Sequence, residues 1–131
     1  GVRPATVDEA KAEAGKYRTD RKLLRSRAAA ALKELRRASG VDKKKVAAIG
    51  FCFGGGAVLE LARSGADVLG VVSFHGNLDT PNPADAKKIK GKVLALHGAE
   101  DPFVPADQVA SFEKEMREAK VDWELVKYGG A

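Results

Sequence analysis

Hydrophobic positions along this chain follow two periods, one typical of helices and one typical of buried strands. Helical spacing of apolar residues marks three segments, at 20–39, 55–63 and 106–119. Strands are predicted at 46–51, 68–74, 93–96 and 121–128, and the first of these is continuously apolar, as expected for a strand covered on both faces. Because strands alternate with helices, the pattern predicts an α/β fold: a mainly parallel sheet of about four strands with flanking helices.

The N-terminal segment, residues 1–17, is polar and lacks this alternation. Thr6, followed by Asp8 and Glu9, can cap a short helix there, although such a helix would bury little. We therefore divide the chain into a polar N-terminal segment, 1–17, and a single domain, 18–131. Within that domain, residues 77–90 form a proline-containing loop with room for one helical turn.

The first predicted strand leads into Gly50-Phe51-Cys52-Phe53-Gly54, after which a helix begins. A nucleophile between a strand and a helix, with a glycine two residues away on each side, is the pattern of a nucleophile elbow. The N-terminus of the helix favours a thiolate at Cys52, and the Phe53 N–H would point toward the oxyanion of a tetrahedral intermediate. Two alternatives stay open. One is a buried structural cysteine, and the other is a phosphate-binding glycine loop, although the Lys-Ser/Thr pair of a P-loop is absent after Gly56.

Other polar residues follow the predicted strand ends, where the functional residues of parallel sheets gather. Asp101 follows the third strand and can orient an imidazole in a Cys-His-Asp arrangement; the alternative is a solvated turn carboxylate that binds backbone. His75 and His97, the two histidines, each precede a glycine at a strand end, where an imidazole commonly holds a turn through backbone hydrogen bonds. We favour that role for both, since the order of a hydrolase triad is nucleophile, acid, base, and no histidine follows Asp101.

Composition narrows the class of protein. The 131 residues carry a formal net charge of +5, and residues 1–45 hold 14 Lys/Arg against 6 Asp/Glu. These basic residues follow helical spacing with almost no aromatic residues between them, which favours a solvated helix face over a nucleic-acid surface. A single cysteine excludes an internal disulfide, and two separated histidines argue against a metal site, so we expect no cofactor. The single cysteine also favours a reducing cytoplasm as the compartment. With no apolar run of about 20 residues and no signal pattern we expect no membrane partner, and the solvated helix face argues against a nucleic-acid partner.

Several linked motifs resemble the dienelactone hydrolase family of α/β-hydrolases. They are AIGFCFGG at 48–55, VVSFHG at 71–76, LALHGAEDPFVP at 94–105 and VKYGGA at 126–131. The resemblance implies a partial α/β-hydrolase fold and hydrolysis of ester or lactone bonds, of the carboxymethylenebutenolidase type, through a Cys-His-Asp triad and an acyl-enzyme. By this resemblance Cys52 corresponds to the nucleophile, Asp101 to the acid and the Phe53 N–H to one oxyanion donor.

Two parts of the family pattern have no counterpart in these residues. The family's catalytic histidine follows the last strand, beyond the Tyr128-Gly129-Gly130-Ala131 motif, and the family's N-terminal third supplies the first strands. We therefore expect a chain truncated at both ends, with impaired hydrolase activity on a small-molecule ester or lactone. The alternative is a non-catalytic remnant that serves as an interaction or structural module.

The missing first strands also lead to a prediction about assembly. They would leave residues 46–49 as an unprotected apolar edge of the sheet, which is a template for pairing with another chain. We predict a homo-oligomer or a domain-swapped dimer that covers this edge.

Overall fold

The computed structural model describes residues 2–131, which form one four-stranded sheet with helices packed on it. The helices are α1 (Val7–Thr19), α2 (Arg21–Arg37), α3 (Phe53–Arg63), a 3-10 helix (Pro83–Lys88) and α4 (Ala106–Glu118). The strands are β1 (Ala48–Phe51), β2 (Gly70–Phe74), β3 (Lys92–Gly98) and β4 (Trp123–Tyr128). Strands and helices alternate from β1 onward as the sequence pattern predicts, so the predicted α/β class is confirmed.

All four strands run parallel, in the order β1-β2-β3-β4. With this order, every right-handed connection between neighbouring strands crosses the same face of the sheet. The helices in these connections, α3, the 3-10 helix and α4, therefore share one face. Burial alternates along β2 accordingly: Val71 and Ser73 are buried, whereas Val72 and Phe74 are only partly buried. The expectation that the first strand is covered on both faces is wrong within residues 2–131, because the helices leave the second face partly exposed and Ile49 and Phe51 of β1 lie open on it.

The polar N-terminal segment is helical. The Thr6 hydroxyl accepts a hydrogen bond from the Glu9 N–H (3.2 Å), and the Glu9 carboxylate accepts one from the Ala5 N–H (2.7 Å). These two bonds start α1 in a variant of the capping box, since Glu9 reaches the residue before the N-cap Thr6, and no residue of α1 is buried. The Asp20 carboxylate, which accepts from the Leu23 N–H (2.9 Å), caps α2.

A buried ionic network ties the helices to the loop that follows β2. The Arg63 guanidinium, at the end of α3, donates two hydrogen bonds to the Glu115 carboxylate on α4 (2.7 and 2.8 Å) and one to Glu60 (3.0 Å). It also donates to the Leu78 carbonyl (2.9 Å), which fixes the loop after β2. Arg63, Glu60 and Glu115 are almost wholly buried, so each charge depends on its partners for compensation.

β1 lies at one edge of the sheet, with β2 as its one neighbour among the described strands. Its side chains Ile49 and Phe51 are 65% and 59% exposed. β1 is thus an edge strand with exposed apolar side chains, although Val46, within the predicted edge 46–49, is buried. The oligomer that would cover this edge stays a prediction. Within residues 2–131, no helix is long and apolar enough to cross a membrane.

Candidate active site

Cys52 occupies a sharp turn between β1 and α3. Its backbone is left-handed, with φ 53° and ψ −117°, and its side chain is exposed. A Cβ at Gly50 would overlap the Gly54 carbonyl, which explains the glycine two residues before Cys52. A Cβ at Gly54 would meet nothing within 4 Å, so packing does not require the second glycine of the pattern. The glycine that packing does require is Gly55, whose Cβ would come within 2.9 Å of the Gly76 Cα.

The first turn of α3 leaves a free donor beside the thiol. The Cys52 carbonyl accepts hydrogen bonds from the Gly55 and Gly56 N–H groups (3.0 and 3.4 Å), which starts the helix. Among residues 2–131, no acceptor takes the Phe53 N–H, as is normal for the first residue of a helix. This N–H is therefore available to an oxyanion formed at Cys52.

α1 reaches the elbow, a contact that the sequence analysis missed. The Tyr17 ring packs edge-on against the Phe53 ring (6.2 Å between centroids), and the Arg18 guanidinium carbon lies 5.9 Å from the centre of that ring. The sequence signal was weak because α1 is polar and buries none of its residues. The boundary between 1–17 and 18–131 therefore falls inside a helix.

Asp101 lies in the turn after β3 and is partly buried. One of its carboxylate oxygens accepts a hydrogen bond from the Phe103 N–H (2.8 Å). This is the backbone contact expected of a turn carboxylate. The other oxygen has no hydrogen-bond partner among residues 2–131, so Asp101 can still accept a bond from an imidazole.

A cavity of about 630 Å³ opens at this end of the sheet. Its polar lining comes from His75, His97 and Asp101, and its apolar lining includes Phe74, Leu96, Phe103 and Tyr128. The structure thus brings both histidines and Asp101 together around one space. Cys52 does not line this cavity; it sits at the end of β1, beyond the strand that carries His75.

Neither imidazole makes a hydrogen bond within the described part of the chain, so the turn-holding role that we favoured for both histidines is not observed. His97 is only 4% exposed, and its Nδ1 has no partner. Burial lowers the pKa of His97, partly opposed by the Asp101 carboxylate and reinforced by the Lys127 ammonium. His75 is exposed and has a left-handed backbone, with φ 40°.

Residues 2–131 match the sequence model of the Dienelactone hydrolase family. An uncharacterised protein of Caenorhabditis elegans is 34% identical over 110 residues, which are 82% of this chain and 70% of that protein.

Two solved structures share the fold. A dienelactone hydrolase-like promiscuous phosphotriesterase from metagenomic libraries is 46% identical with a TM-score of 0.86, over 89% of this chain and 49% of that one. A structure described as m3DLH is 41% identical with a TM-score of 0.92, over 98% of this chain and 53% of that one. The chain therefore spans about half the length of these two structures. On the match over residues 2–131, the chain belongs to the dienelactone hydrolase family.

Proposed function

We propose that this chain carries the nucleophile and the acid of a hydrolase that cleaves carboxylic ester or lactone bonds. The observation that carries the proposal is the left-handed backbone of the exposed Cys52 between β1 and α3. Strained backbone of this kind costs about 1–3 kcal/mol and clusters at active sites. Family membership supports the reaction class, and the substrate would be a small ester or lactone of the carboxymethylenebutenolidase type.

The proposed chemistry has two steps. The Cys52 thiolate attacks the carbonyl carbon, and the resulting oxyanion accepts a hydrogen bond from the Phe53 N–H. The tetrahedral intermediate collapses, the alcohol leaves with a proton from an imidazolium, and a thioester remains on Cys52. Water then attacks the thioester with the imidazole as base, which releases the acid and restores the thiol.

Asp101 would orient that imidazole through its free carboxylate oxygen. β2 lies between β1 and β3. The carboxyl ends of β1 and β3, which precede Cys52 and Asp101, therefore lie about 10 Å apart at the normal strand spacing. One imidazole can bridge such a gap. The family resemblance assigns this base to a histidine beyond residue 131. We therefore propose that residues 1–131 alone form the acyl-enzyme on Cys52 but turn over the ester poorly. The location that we propose is the cytoplasm.

The test is intact-mass analysis after exposure to an activated aryl ester, together with labelling by iodoacetamide. We expect about one acyl group per chain on Cys52, labelling of the same residue, and turnover near background, since a triad acts as a unit. The matched control is Cys52→Ala, which should take up neither reagent. Ester turnover that survives Cys52→Ala would refute the assignment.

A second candidate function is a non-catalytic interaction module. It is favoured by one observation: within residues 2–131, neither histidine hydrogen-bonds to Cys52 or Asp101. This candidate predicts no acyl group on Cys52 at any ester concentration, while the chain remains folded.

A further inference from the structure

The first turn of α3 has few side chains of its own to hold it in place. After Phe53 the chain continues Gly54-Gly55-Gly56, so Phe53 is the one residue among 53–56 with a side chain. Glycine loses more conformational freedom on folding than any other residue, and helix ends fray. The position of the Phe53 N–H, the proposed oxyanion donor, therefore depends on the groups that pack against this turn.

Close backbone packing against β2 and the residues that follow it holds one point of the turn. A Cβ at Gly55 would come within 2.6 Å of the Ser73 Oγ and within 2.9 Å of the Gly76 Cα. Ser73 is itself buried on β2. This contact fixes the turn at Gly55, two residues after the donor.

The Phe53 ring is held by α1. The Tyr17 ring meets it edge-on, with 6.2 Å between centroids and 62° between the planes, and the Arg18 guanidinium carbon lies over it at 5.9 Å from its centre. Edge-on aromatic pairs and cations over a ring face attract each other beyond what the buried area provides. The last turn of α1 supplies both contacts.

α1 is anchored at the end that carries these two residues. The Asp20 N–H donates to the Lys16 carbonyl (3.2 Å) at the end of α1, and the Asp20 carboxylate accepts from the Leu23 N–H (2.9 Å) at the start of α2. One residue thus joins α1 to α2, which packs against α3. Since no residue of α1 is buried, the helix adds little to the core, and its contacts with Phe53 call for another role.

We propose that Tyr17 and Arg18 are positioning residues of the thiol site, which clamp the Phe53 ring and so hold the Phe53 N–H where an oxyanion forms at Cys52. This inference rests on the proposed function. A donor of an oxyanion hole lies about 2.7–3.1 Å from the oxyanion, so a small displacement of the turn weakens the hydrogen bond. By this role α1 belongs to the active site.

The test compares two reagents that react with the same thiol. An activated aryl ester acylates Cys52 through a tetrahedral oxyanion, and its aryl oxide leaves without a proton from an imidazole. Iodoacetamide alkylates Cys52 by displacement of iodide, and no oxyanion forms. Because both reactions consume the thiolate, the ratio of the acylation rate to the alkylation rate reports oxyanion stabilisation separately from ionisation of the thiol. Intact-mass analysis over time gives both rates.

Tyr17→Leu removes the aromatic ring but keeps an apolar side chain that favours a helix. We expect the ratio to fall about tenfold, which is less than the loss of about 10²–10³-fold when a whole oxyanion donor is removed. Tyr17→Phe keeps the ring and should keep the wild-type ratio. Arg18→Gln removes the cation over the ring and should lower the ratio about threefold.

Arg27→Gln is the matched control for Arg18→Gln, because it removes the same charge at an exposed position of α2. It should leave the ratio unchanged. A wild-type ratio in Tyr17→Leu that circular dichroism shows to be folded, including an equal fall of both rates, overturns the clamp, and so does a Tyr17→Phe variant as impaired as Tyr17→Leu. In these cases acylation of the wild-type chain leaves the proposed function standing. A wild-type chain that is alkylated but never acylated overturns the proposed function itself.

Discussion

The buried ionic network among the helices and the carboxyl edge of the sheet differ in how their polar groups are satisfied. In the network, the buried guanidinium of Arg63 is paired with two carboxylates and a carbonyl group. At the carboxyl edge, Cys52 and His75 have left-handed backbones, and the buried Nδ1 of His97 has no partner. Because strained and unsatisfied groups persist only where the surrounding structure holds them, the first region supports the second.

The ionic network of the covered side should therefore be the most sensitive point of the fold. Arg63→Met leaves the buried carboxylate of Glu115 without its cation and that of Glu60 with Arg25 alone, and we expect the free energy of unfolding to fall by about 3–5 kcal/mol. Urea denaturation measures the change. The control is Arg37→Ala, which removes an exposed ion pair with Glu34 and should cost less than about 1 kcal/mol. Equal losses in the two variants would contradict the special sensitivity of the buried network.

Two glycines at the elbow should respond in opposite directions. Gly50→Ala places a methyl group against the backbone of Gly54, and we expect a loss of about 2–4 kcal/mol in unfolding free energy. Gly54→Ala meets nothing within 4 Å and lies inside α3, so it should stabilise the protein by about 0.5–1 kcal/mol. Chemical denaturation of both variants provides the comparison. A neutral Gly50→Ala would show that the turn at Cys52 can relax.

The sequence was a good guide to the elements and to Cys52, because both depend on local pattern. Continuous apolar runs and helical spacing set the strands and helices, and a glycine-flanked residue between them marked the elbow. The same pattern overstated the role of Gly54, since the close backbone contact in the structure falls on Gly55 instead.

Long-range properties could not be predicted in this way. An apolar strand has the same pattern whether one or both of its faces are covered, so the partly exposed second face was missed. The contact between α1 and Phe53 depends on how a polar helix packs back against the sheet. The spacing of apolar residues in the sequence does not predict this packing. The position of His75 beside Cys52 follows from the pairing of β1 with β2, which a single sequence leaves open.

The exposed edge of the sheet should control association rather than folding. We expect the wild-type chain to form oligomers through β1, and Ile49→Lys, which places a charge on this edge, to shift it to monomers with little change in unfolding free energy. Sedimentation equilibrium over a range of concentrations measures this. Val7→Lys, at a 70% exposed position on α1, is the control and should leave association unchanged. A wild-type chain that is monomeric at high concentration would contradict the prediction.

The smallest expected effect is the pH dependence that arises from His97. Burial lowers the pKa of its imidazole below the ordinary value of 6.5, so this imidazole binds a proton more weakly in the folded chain than in the unfolded chain. The contribution of this group to stability is complete above pH 6.5 and is lost as the pH falls from there toward the folded pKa. We therefore expect the free energy of unfolding to rise with pH as the pH approaches 6.5 from below, and His97→Gln to flatten that slope whatever its absolute stability.

Asp85→Asn provides the control for His97. Hydrogen bonds from Lys88 and Arg25 lower the pKa of Asp85 below its ordinary value of 3.8, so its contribution is present above pH 3.8 and is lost only as the pH falls further. This variant should therefore change the slope in strong acid and leave the slope near pH 6 as it is. If His97→Gln keeps the wild-type slope, the carboxyl edge already satisfies His97 in solution. The contrast between the two regions would then rest on the strained backbones of Cys52 and His75 alone.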